Sequence, residues 1–137
     1  MQIIKRRFRS ASIIALVAAS FASSAWAQAG RSSPWASLER DIYSNFERGD
    51  YSRALALIED YLKESPNDVG MIYNGACANC LLKNADECAA MLLRAVKAGF
   101  VDFSHMRRDP DLDLIREHPT YLAIVEAAET VARESTR

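Results

Sequence analysis

The sequence is poor in residues that bend or break a chain. It has only five glycines and four prolines in 137 residues, and the glycines do not cluster. A glycine-rich phosphate loop is therefore excluded. No alternating run of four or more β-branched or aromatic residues occurs, so strands are not expected. The hydrolase signatures G-x-S-x-G and H-E-x-x-H are both missing. There are two histidines, His105 and His118. They lack the paired spacing of a metal site, and His118-Pro119 reads as a helix entry. No cofactor motif is present, and catalysis is not expected. Beyond residue 27 no apolar stretch is long enough to stop transfer across a membrane.

What the N-terminus does contain is a targeting pattern. Lys5, Arg6, Arg7 and Arg9 precede an uncharged run from Ala11 to Ala25, which closes on Ala25-Trp26-Ala27. A basic head, a short apolar middle and a small-x-small end mark a secretory signal peptide over residues 1–27, with cleavage expected after Ala27. Arg6-Arg7 lacks the apolar pair a twin-arginine signal would place after it, and no cysteine stands at the cut site. A periplasmic or secreted protein without stable membrane insertion is the expectation. Four of the 17 basic residues lie in the signal, so the remainder sets 13 basic against 18 acidic residues, a net charge of −5. An acidic domain without a basic stripe argues against nucleic acid and anionic membranes as partners.

Residues 28–34 form a polar leader, and a single helical domain is expected over 35–134. Ser33-Pro34 resembles a cap and first helical position. Trp35, Leu38, Ile42, Tyr43 and Phe46 then recur at helical spacing. Gly49-Asp50 ends that helix and opens the next, where Ala54, Leu55, Ile58, Tyr61 and Leu62 share a face. Ser65-Pro66-Asn67-Asp68 makes the following break. The layout repeats with a shift of 34 residues: Ala54 falls on Cys88, Leu55 on Ala89, Ile58 on Leu92, Tyr61 on Ala95, and Gly49-Asp50 on Lys83-Asn84.

A 34-residue period of short antiparallel helices resembles the tetratricopeptide repeat. Gly49-Asp50-Tyr51, Ala54, Ile58 and Pro66 carry the likeness in a first unit (35–68). Ala76, Leu92 and Ala95 carry it in a second (69–101). The first unit departs from the pattern in holding bulky Ile42 where the second holds Ala76. Residues 102–134, with Asp109-Pro110-Asp111-Leu112 and His118-Pro119, are similar to the terminal unit that closes many bacterial arrays of this kind. In its closing helix Tyr121, Leu122, Val125 and Val131 are expected to be buried. The resemblance implies an all-α fold, a short right-handed solenoid of helix hairpins with C-terminal capping helices. Stacking is what lets such hairpins bury their apolar stripes.

It also implies a function, that of an interaction module or adaptor. The first helix of each hairpin would line a concave face for a peptide or protein partner, and that face would present Glu39, Tyr43, Phe46, Glu47, Tyr73, Cys77 and Cys80. Repeats that clamp a C-terminal carboxylate carry Lys and Asn where this chain has Glu39 and Tyr43, so a basic or neutral apolar partner is expected instead.

Cys77, Cys80 and Cys88 support a second reading, a redox or metal-handling protein. Cys80 and Cys88 lie equally far from the turn at Asn84, which makes them the first candidates for a disulfide. Plain packing of Cys77 and Cys88 stays open beside it. So does a zinc site completed by a histidine. A third reading is a structural envelope component that self-associates through an uncapped edge.

Overall fold

The computed structural model describes residues 34–135, all of its regular structure helical. The signal peptide expected over 1–27 and the leader up to residue 33 lie outside the described residues. Six helices follow in order: α1 (Pro34–Arg48), α2 (Tyr51–Glu64), α3 (Val69–Leu81), α4 (Ala85–Lys97), α5 (Phe103–Arg108) and α6 (Pro119–Glu134), with a 3-10 turn (Pro110–Ile115) between the last two. Among them no helix is long and apolar enough to cross a membrane.

The helix boundaries follow from local chemistry. Asp50 accepts from the Arg53 amide at 3.0 Å to open α2, and Asp68 does the same for Met71 at 2.9 Å to open α3. Each such cap satisfies an amide that the helix itself leaves without a partner. The 34-residue period is visible in the backbone. Gly49 and Asp50 donate to the carbonyls of Phe46 and Asn45, while Lys83 and Asn84 donate to Cys80 and Asn79. Gly49 turns at φ +74, and Lys83 adopts nearly the same left-handed value, φ +71, despite its side chain. Buried Asn45 and Asn79, also one period apart, each return an amide hydrogen bond to the carbonyl four residues earlier.

α1 pairs with α2 and α3 with α4, while α2 also packs on α3. The uncharged α3 is the centre of the molecule, buried at every position from Met71 to Cys80. Ile58 of α2, Ile72 of α3 and Leu92 of α4 are fully enclosed. Each such side chain contributes roughly 1.5–3 kcal/mol relative to exposure. Close approach is possible because Gly75 offers no side chain: a Cβ there would meet Met91 at 2.5 Å and Ile58 at 3.4 Å. Ile42 and Ala76, which differ in size at corresponding positions, are both at zero exposure.

The C-terminal segment closes over this core. Asp102 caps α5 through the His105 amide, Asp109 caps the 3-10 turn through Asp111, and the His118 ring accepts from the Thr120 amide to open α6. The 3-10 turn packs on α3 and α4, and α6 packs on α4. Arg116 binds the segment together, donating to the Met106 and Asp109 carbonyls and to the Tyr121 hydroxyl. In α6 the expected burial holds for Tyr121 but not for Leu122 or Val131, which are 48 % and 62 % exposed. Tyr121 and Ile124 set the packed stripe. Leu122 is turned off it by about a quarter of a helical turn, and Val131 extends past the core along the free end of the helix.

Candidate functional site

Two regions carry the sequence-derived candidates, one on each hairpin, and they differ in who occupies them. On α1, Glu39 and Tyr43 are half-buried and Glu47 is exposed. Phe46 points inward at 6 % exposure and packs on Tyr51, ring centres 6.0 Å apart. Burial raises the Tyr43 hydroxyl above its ordinary pKa. An Asn74 hydrogen bond opposes that shift, and the charges of Glu39 and Asp68 add to it.

The corresponding face of α3 is covered by the chain itself. Tyr73 stacks on Phe100 at 4.6 Å and donates its hydroxyl to Asp109 at 2.7 Å. Cys77 lies 3.8 Å from the same carboxylate, and His105 approaches it at 3.5 Å. Phe46, Tyr73, Cys77 and Cys80 therefore do not line an open face, contrary to the expectation from the sequence. The reasons are physical: residues 100–115 fold back on Tyr73 and Cys77, Cys80 is bonded to Cys88, and Phe46 packs on Tyr51. Helical spacing orients a stripe but cannot say what covers it.

The cysteines take separate roles. Cys80 and Cys88 form a disulfide across the α3–α4 turn, with Cα atoms 5.1 Å apart. Cys77 is a free, buried thiol. Burial first, then the negative charges of Asp109 and Asp111, push its pKa well above the usual thiol value. Nucleophilic and redox thiols need the thiolate, which this environment suppresses. Among the described residues, no three His, Cys, Asp or Glu side chains are grouped so as to hold a metal ion.

The tie between Asp109 and Tyr73 is the feature that sequence reasoning missed. Asp109 Oδ1 caps the 3-10 turn at 3.0 Å, while its Oδ2 accepts from Tyr73. One buried carboxylate thus joins the cap to α3. The signal was present in Asp109-Pro110, but nothing in the pattern pairs it with a tyrosine 36 residues earlier. Two residues on, Asp111 is only 6 % exposed, and among the described residues no group gives its carboxylate a hydrogen bond or an ion pair. Burial, then the charges of Asp109 and Asp113, push its pKa up to about 7.

No family model matches the chain, and no solved structure matches it. A stretch of 85 residues is 32 % identical to a chloroplastic protein of Arabidopsis thaliana, covering 58 % of this chain and 25 % of that protein. The chain thus spans about a quarter of the length of the curated relative it matches.

Proposed function

We propose that this protein is an exported, non-enzymatic interaction module: a short tetratricopeptide-like solenoid that holds a peptide or protein partner along α1. The observation that carries the reading is the asymmetry between the hairpins. The face of α3 is filled by the chain's own cap, while Glu39, Tyr43 and Glu47 on the matching face of α1 keep access to solvent. The repetition of turn hydrogen bonds and capped helix starts after 34 residues supports the solenoid. The Cys80–Cys88 bridge and the signal-like residues 1–27 support export to an oxidising compartment.

An in-cell crosslink and pull-down of the processed protein from the envelope fraction tests this, with wild type beside Tyr43→Ala/Glu47→Ala. A defined partner that is lost in the variant is expected. A variant that retains every partner contradicts the reading. Self-association is the second reading, favoured by Leu122 and Val131 exposed on α6 and Leu114 exposed on the 3-10 turn. Concentration-dependent size by light scattering distinguishes it from a monomeric adaptor.

A further inference from the structure

One end of the first hairpin holds a notch whose charges are not balanced. The Tyr61 hydroxyl lies 3.3 Å from Glu39 Oε1 and 3.2 Å from Asp68 Oδ2. It has one proton and can satisfy only one carboxylate at a time. Asp68 uses its other oxygen to cap α3, so its position is fixed by the helix it starts. Among the described residues no ion pair involves Glu39 or Asp68, although Asp60, Glu129 and Asp113 do pair with lysine or arginine.

Aromatic rings surround these carboxylates. Trp35 meets Tyr61 edge to face, ring centres 5.5 Å apart at 68°. Tyr43 stands near enough for Glu39 and Asp68 to influence its hydroxyl. Trp35, Glu39, Tyr43 and Asp68 are each half-open to solvent. The group is thus assembled from α1, α2 and the turn before α3.

From this geometry we propose that the notch receives a cationic side chain, lysine or arginine, from the partner segment that lies along α1. The inference rests on the interaction reading above and adds the chemistry of the partner's anchor. Two carboxylates fixed against one hydroxyl repel each other, and a cation between them relieves both. The faces of tryptophan and tyrosine attract ammonium and guanidinium groups through their ring quadrupole. A small divalent metal would gain nothing from the rings, and among the described residues no third His, Cys, Asp or Glu joins the two carboxylates.

The experiment is an NMR titration of the processed protein with blocked pentapeptides that differ only in a central Lys, Arg or Gln. The Lys and Arg peptides are expected to shift the Trp35 indole and the Tyr43 and Tyr61 rings, and the Gln peptide is not. Glu39→Gln/Asp68→Asn keeps both side-chain shapes and an Asn cap on α3, and it is expected to weaken binding by about tenfold. Raising salt from about 0.05 M to about 0.5 M is expected to weaken it as well. Equal shifts from the Gln peptide, no shifts up to about 20 mM peptide, or unchanged affinity in the double variant would overturn the proposal. So would the same shifts from calcium chloride alone at lower concentration. A partner crosslinked through α1 whose capture survives Glu39→Gln/Asp68→Asn also overturns the cationic anchor, while leaving the interaction reading in place.

Discussion

The two hairpins share a backbone plan and differ in how they are finished. In the second, a disulfide ties α3 to α4 and a buried carboxylate ties α3 to the cap. In the first, the matching helix face ends in half-buried polar side chains, and no described element is laid over it. One unit is thereby closed by residues that follow it, while the first helix of the other keeps half-buried polar side chains. The comparison teaches that equivalence by sequence period does not imply equivalence of surface. What decides a face is the element that follows in the chain, and here that element lies on the second hairpin.

Removing the tie at Asp109 should break the contrast most strongly. Asp109→Ala leaves the buried Tyr73 hydroxyl without an acceptor and the 3-10 turn without a cap. A loss of about 3–5 kcal/mol is expected in urea unfolding, by the cost of orphaning buried polar partners. Tyr73→Phe removes the same bond from the other side without stranding a hydroxyl, and should cost less.

The disulfide comes next. Cys80→Ala/Cys88→Ala opens a short loop, with a sequence separation of eight residues. Loop entropy sets its contribution at about 2–3 kcal/mol, which a comparison of melting temperatures for the oxidised protein and the double variant would read. A change of under about 1 kcal/mol would mean that packing alone holds α3 to α4.

Asp111 gives an effect of opposite sign. Its pKa is pushed up to about 7 by burial, then by the charges of Asp109 and Asp113. The fold therefore prefers the neutral acid. That stabilisation is complete below the ordinary carboxylate range and is lost as the pH rises through about 7. Asp111→Asn should accordingly be more stable than wild type at pH 8, on the order of 1–3 kcal/mol, with the gap narrowing toward pH 4. A variant less stable than wild type at pH 8 would show that the carboxylate has found a partner.

The smallest effect sharpens the comparison rather than breaking it. Tyr43→Ala is expected to cost less than about 1 kcal/mol, since part of its surface already meets water, whereas Phe46→Ala one turn on should cost about 3 kcal/mol or more. Equal losses in chemical denaturation would mean that α1 has no free face.

Much of the fold was legible in residue types whose local role is strong. Pro34, Asp50, Asp68, Asp109 and Pro119 each stand at a helix boundary that capping chemistry dictates, and the structure uses them so. The Cys80–Cys88 proximity followed from symmetry about the α3–α4 turn. The site was harder to read because burial is a tertiary property. Tyr43 and Tyr73 occupy nearby register positions on equivalent helices, yet one reaches solvent and the other is stacked under Phe100. The fold-back of residues 100–115 separates them, and no periodicity within α1 or α3 encodes it. Lys83 is a similar case, since a lysine gives no hint of the left-handed turn it adopts in the place of Gly49.

The central claim is that a partner covers α1 while the chain covers α3. A photo-crosslinking amino acid placed in turn at position 43, at 47 and at exposed position 97 on α4, in cells with intact envelopes, tests it most directly. The account predicts a discrete adduct of the same mass from positions 43 and 47 and none from 97. No adduct at either α1 position, or an equal one from 97, would contradict it.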